Sequence, residues 1–251
     1  MINQFKVEFY KLWHFKLFRR VMVFVVLFAI FAWFYMKWYL YFWPQYYSRD
    51  MSTMGDLFFE TMSEVSFVFL YSIVTTWFVG TDFDNRTIHN EIAVGYSRWS
   101  VLFSRILTCW CASILLHVFM TVLYTEVGWS AYGYGFHVPV LGMRDLIWFG
   151  VILLQLMAMQ SLVVLITIIS AKAVTALVIS GVLSYLIDNE VRFFFYGRGM
   201  EEGRRIWGTM FFALAQDNSD RTLIAAGCMA VAAIVVLTAV AYSIFRKMDL
   251  K

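Results

Sequence analysis

The chain is 251 residues long; 61% of them are hydrophobic, only 15% are charged, and the formal net charge is +3. Ordinary soluble domains carry roughly 45–50% apolar and about 25% charged residues, so an ordinary soluble fold is excluded, and nothing in so small a net charge points to nucleic acid. Leu146–Ala171, Thr222–Phe245 and Ile106–Thr125 run for 26, 24 and 20 residues without an Asp, Glu, Lys or Arg. A bilayer core about 30 Å thick needs roughly 20 apolar helical residues to cross it. The composition therefore predicts an all-α polytopic membrane protein. No polar stretch is long enough to build a second core, so residues 1–251 are expected to form a single transmembrane domain.

Residues 1–17 predict an amphipathic helix in the cytoplasmic membrane interface: Ile2, Phe5, Phe9, Leu12 and Trp13 share one helical face, with Asn3, Gln4, Lys11 and His14 opposite. The apolar run behind it starts late and no small-residue cleavage site follows, so a cleavable signal peptide is not expected. The first span is predicted near 19–42, where Lys37 can snorkel to the interface among Trp33, Trp38, Tyr39, Tyr41 and Trp43. The second, near 57–79, carries Glu60 and Glu64 in its outer part.

The loop Gly80–Arg105 comes next. Asp84 or Asn85 can cap a short helix over Thr87–Val94. Ile88 and Ile92 lie on one face of it, with Glu91 beside them. Gly95 is a helix stop, and Ser97 can cap the helix that becomes span three. The pattern predicts a short helix held between two spans, parallel to the membrane, offering apolar and charged residues to a partner. A capped loop with solvated charges fits the same residues.

Span three, near 101–126, contains Cys109, Cys111 and His117. The two cysteines point to different faces; with Cys228 they read as small packing residues, not as a disulfide or metal site. The four histidines show no metal-ligand spacing. Spans four and five, near 146–171 and 173–187, are separated by Lys172 alone, and a tight turn at Ser170–Lys172 is predicted there. The outer loop Asp188–Arg221 holds two apolar patches, Phe193–Tyr196 and Ile206–Ala215, too short to cross. They suggest a re-entrant or interfacial hairpin buried against protein; the other reading is a folded surface loop. The sixth span, near 222–245, offers Ala226, Ala230 and Ala233 for close helix packing. Pro44 and Pro139 both fall in predicted outside loops, so no span is broken by proline.

With the N-terminus inside, the inside segments hold 12 Lys/Arg against 5 acids, and the outside segments 8 against 12. That bias is the positive-inside pattern, and six spans then put both termini in the cytoplasm. No Gly-x-x-x-x-Gly-Lys-[Ser/Thr] phosphate loop occurs, so this chain is not expected to hydrolyse ATP or to bind a cofactor. Glu201-Glu202 followed by Arg204-Arg205 partly resembles the Glu-Glu-x-x-x-Arg signature of membrane CAAX-type proteases. Ile206 occupies the arginine position, however, and no histidine follows. No carboxylate sits at the centre of a predicted span, where a proton- or ion-coupled carrier normally buries one.

Gly80, Asp82, Phe83, Thr87, Ile88, Asn90, Gly95, Ser97 and Arg98 together resemble the G-x-D-F-x-x-x-T-I-x-N-x-x-x-x-G-x-S-R stretch of ABC-2-type exporter permeases. These are small six-span subunits similar to the lantibiotic-immunity, bacitracin-export and sodium-export permeases. The ending Phe245-Arg246-Lys247-Met248-Asp249 is similar to their F-x-x-x-D tail, and the opening to their interfacial leader. The resemblance implies a multi-pass permease of the bacterial plasma membrane, pairing with a second permease copy or a homologue. It implies a separate ATPase subunit that holds ATP and magnesium. The coupling helix that docks into a groove on that ATPase would then be Thr87–Gly95, with Ile88, Glu91 and Ile92 as contacts and Asp82, Phe83 and Arg98 in the same coupling element. Short helices carrying Phe193, Phe194, Trp207 and Phe211 would cap the outer end of the pathway. An aromatic fraction of 20% makes hydrophobic peptides, lipids or drugs plausible cargo. The alternative reading is a stand-alone secondary transporter or channel.

Overall fold

The computed structural model describes residues 2–42, 68–131, 143–185 and 220–248. Every regular element among them is an α-helix: α1 (Ile2–His14), α2 (Lys16–Phe42), α3 (Val68–Asp84), α4 (Thr87–Ala93), α5 (Arg98–Ala131), α6 (Met143–Ser170), α7 (Ala173–Tyr185) and α8 (Asp220–Lys247). Four stretches are long and apolar enough to cross a membrane: Lys16–Tyr35, Arg98–Val127, Leu146–Ser170 and Asp220–Lys247. The predicted second span appears only as α3, because its first part, with Glu60 and Glu64, lies outside the described residues. The fifth appears as the shorter apolar α7. Both prolines, and the outer-loop residues Phe193, Phe194, Trp207 and Phe211, also lie outside the described residues.

The helix boundaries follow from local chemistry. The predicted leader and first span are separated by one residue, Phe15. Its ring packs edge-on against Phe78 of α3, with centroids 5.6 Å apart. The turn expected at Ser170–Lys172 is present, with Ala171 in a left-handed backbone conformation at φ 48°. α4 starts at Thr87 as predicted, but its predicted cap is corrected. The N-cap position is Arg86, at φ 55° and with no side-chain cap. The reason is that α3 keeps turning: Asn85 N–H donates to the Thr81 carbonyl and Arg86 N–H to that of Phe83. Asp84 and Asn85 therefore close α3 and do not open α4. The predicted stop holds. Gly95, at φ 103°, donates to the Ile92 carbonyl at 3.0 Å while Tyr96 N–H donates to that of Glu91 at 3.2 Å, the paired bonds of a Schellman ending. Ser97 Oγ then accepts from Ser100 N–H at 3.2 Å, capping α5 as predicted.

α5 and α6 form the centre of the bundle and α2 and α8 its flanks: 56% and 67% of the apolar windows are buried in the central pair, against 22% in each flanking helix. The exposed faces of the flanks are apolar, with Phe24, Leu27, Phe31 and Phe34 on α2 and Ile224, Val231, Val235 and Val236 on α8. Continuous apolar faces of this kind belong in lipid, and the molecule has the features of an integral membrane protein. Small residues set the closest approaches. A Cβ on Gly80 of α3 would stand 2.4 Å from Ala173 Cα of α7, so only glycine lets these helices meet. On α8, Ala226 and Ala230 are fully buried, and Gln155 of α6 donates its amide to the Ala226 carbonyl at 2.6 Å.

Candidate functional site

α1, the end of α3, α4, the start of α5, the α6–α7 turn and the end of α8 converge at one end of the bundle. These are the segments that the charge count assigns to a single side. At their meeting point lies a node of five charged side chains, with Glu8, Asp82 and Arg105 buried and Lys11 and Glu91 partly exposed. Arg105, just inside α5, is 1% exposed. Its Nε donates to Asp82 Oδ2 at 2.9 Å. Its Nη1 and Nη2 grip Glu91 Oε2 and Oε1, both at 2.9 Å, in the bidentate fork that suits a guanidinium to a carboxylate. Glu8 Oε1 of α1 stands 3.5 Å from Nη2. One turn along α1, Lys11 bonds the other oxygen of Asp82. It lies 3.7 Å from Glu8 and 5.4 Å from the centre of the Phe78 ring.

Three carboxylates from α1, α3 and α4 thus share two cations. An unbalanced negative charge away from water is costly. Burial pushes the Glu8 carboxyl above its usual 4.5, against the pull of Arg105 and Lys11 and with help from Asp82 and Glu91. Glu8 Oε2 is buried without a hydrogen bond. A proton there leaves two carboxylates facing two cations and balances the node.

A second set of contacts ties the tail of the chain to the same end. Arg98 Nη1 donates to the carbonyls of Phe245, Arg246 and Met248 at 3.1, 2.9 and 2.8 Å, satisfying the free end of α8. The Phe83 and Phe245 rings meet edge-on at 6.5 Å. Ser100 and Gln4 share a further hydrogen bond between α5 and α1.

Of the residues singled out in the loop, Asp82, Phe83 and Ile88 are buried, Thr87, Glu91, Ile92 and Arg98 are partly buried, and Gly95 is exposed. The grip of Arg105 on Glu91 turns the Ile88 side of α4 inward, where Ile88 is 1% exposed. From Asn90 onward the loop presents Asn90, Ala93, Val94, Tyr96 and Trp99 outward, and ahead of α4 Asp84, Asn85 and Arg86 are exposed too, with Val94 at 80% and Tyr96 at 50% exposure. The roles of Glu8, Lys11 and Arg105 escaped the apolar periodicity. One signal was available: Glu8 is the sole acid before Asp50, inside an otherwise basic leader. On α1 the buried residues are Glu8 and Leu12, while Trp13 faces out, so the expected apolar face is divided between protein and surroundings.

Deeper in the bundle three side-chain pairs bridge the helices. Tyr71 Oη and His117 Nδ1 are 3.0 Å apart. Thr75 Oγ1 donates to Gln160 Oε1 at 2.7 Å, and Trp110 Nε1 to Ser161 Oγ at 3.0 Å. These bonds tie α3, α5 and α6 together. Cys109 is buried, Cys111 half-buried and Cys228 exposed on α8, and all three are free thiols. No protein-family model and no curated protein sequence matches this chain.

Proposed function

We propose that the chain is the permease subunit of an ABC-2-type, ATP-driven exporter of the bacterial plasma membrane. It has six spans and both termini in the cytoplasm, and it works with a second permease copy or homologue and a separate ATPase subunit. One observation carries the reading: a short helix outside the spans, α4, is clamped through Glu91 to a buried arginine of α5 while the residues just past its last turn, Val94 and Tyr96, are exposed. A helix so held acts as a lever. A partner that pushes on the exposed end moves α5 through the Arg105–Glu91 fork, and α1 and α3 through the rest of the node. The resemblance of the Gly80–Arg98 stretch to the coupling segment of such permeases supports the same assignment.

The contact face is narrowed accordingly. Ile88 now has a core role, and a charge placed there tests folding rather than docking. Val94→Asp with Tyr96→Asp tests docking. The double variant should insert and purify like the wild type, yet lose the ATPase subunit that co-purifies in mild detergent and the ATP turnover that the permease stimulates. Interface anchors of this kind carry at least about 2 kcal/mol each. Retention of both the ATPase and transport by the double variant overturns the assignment. Transport by the purified chain alone would establish the stand-alone transporter instead.

A further inference from the structure

With its one acid and Lys11 withdrawn into the node, α1 turns a different face outward. Lys6, Tyr10 and Trp13 stand at i, i+4 and i+7, all exposed, with Tyr10 at 67% and Trp13 at 58%. Lys16, Arg19 and Arg20, in the first turns of α2, are exposed as well. Arg19 Nη2 donates to the His14 carbonyl at 3.5 Å, which holds this cation against the end of α1. Neither helix adds an acid to the group, because Glu8, the only one in the first 49 residues, is buried on the opposite side. A single residue, Phe15, separates α1 from the apolar stretch that starts at Lys16, so α1 has no linker with which to leave the edge of the bilayer. Tyrosine and tryptophan prefer that depth, and lysine and arginine there attract anionic headgroups.

We infer that the outward face of α1, with the first two turns of α2, is a binding surface for the phosphodiester headgroups of anionic phospholipids. The tyrosine and tryptophan settle among the glycerol and upper acyl groups, and the four cations meet the phosphates. The buried Glu8–Arg105 node fixes the roll of α1 that keeps this face outward. The inference rests on α2 crossing a membrane and does not depend on an ATPase partner.

The test is native mass spectrometry of the full-length protein released from micelles that contain equal amounts of phosphatidylglycerol and phosphatidylcholine. The wild type should retain phosphatidylglycerol preferentially, and the preference should fall as ionic strength rises. Lys6→Gln with Arg19→Gln should reduce the preference, by up to about fivefold per cation removed. That variant keeps Lys11, Lys16 and Arg20, so the orientation signal survives, and comparable yield from the membrane fraction confirms insertion. Lys172→Gln, which removes an exposed cation of the α6–α7 turn that belongs to neither α1 nor α2, should leave the preference intact. Equal retention of the two lipids by the wild type overturns the inference, as it must if an acidic protein surface is the true occupant. An unchanged preference in the double variant, or an equal loss in Lys172→Gln, overturns it too.

Discussion

The charged node and the neutral seam solve the same problem, polar groups out of water, in different ways. In the seam single hydrogen bonds join side chains in pairs: Tyr71 with His117, Thr75 with Gln160, Trp110 with Ser161. Shifting one helix along another breaks such bonds, so α3, α5 and α6 are held as one body. In the node three carboxylates surround two cations, and Coulomb attraction falls slowly with distance. Lys11 stands near both Glu8 and Asp82, and Arg105 reaches all three acids. Partners can be exchanged there without leaving a charge alone. The seam therefore suits a rigid bundle, and the node a joint between that bundle and the two short helices α1 and α4. A lever needs both.

Removing the centre of the joint should have the largest effect. Arg105→Met leaves Glu8, Asp82 and Glu91 gathered around an apolar side chain with only Lys11 to offset them. Stripping one partner from a buried ion cluster costs about 3–5 kcal/mol. The variant should show a large fall in thermal stability in detergent, and α1 should become open to protease. A wild-type melting temperature would mean that the node contributes little to holding α1 and α4.

The seam should respond less. Tyr71→Phe keeps the ring and its edge-on contact with His117 and removes one hydrogen bond. Inside a membrane bundle such a bond is worth about 1 kcal/mol or less. A small drop in melting temperature, with no new protease site in α1, separates this change from Arg105→Met. If the two variants lose stability alike, the contrast between joint and rigid body fails.

The apolar runs made the helical class and most of the span positions legible, because length and hydropathy alone decide whether a segment can cross lipid. The turn at Ser170–Lys172 and the Gly95 stop were also readable, since each depends on residues a few positions apart. The node was not. Asp82, Glu91 and Arg105 share the one loop, but Glu8 lies far from them in sequence, and each alone looks like a solvated charge near a membrane edge. Ile88 illustrates the cost. Its spacing from Ile92 marks an apolar face correctly, but periodicity does not say whether that face meets this chain or another, and here the pull of Arg105 on Glu91 decides.

The smallest effect on stability, and the sharpest test of the joint, belongs to Glu8→Gln. Glutamine keeps the shape of a protonated carboxyl and cannot ionise. If Glu8 carries a proton while α1 is docked, the substitution should barely change the melting temperature at mildly acidic pH. The pH dependence is where it should differ. Burial raises the Glu8 carboxyl above its usual 4.5, so the docked state holds a proton that the undocked, solvated state gives up sooner. Docking is then fully favoured below 4.5 and weakens as pH rises from there through the raised value. Hydrogen exchange of the amides of α1, followed against pH, should show protection falling across that window in the wild type. In Glu8→Gln this fall should be flattened. If wild-type protection instead grows as pH rises through the window, Glu8 enters the node ionised, and the two cations are shared by three charges after all.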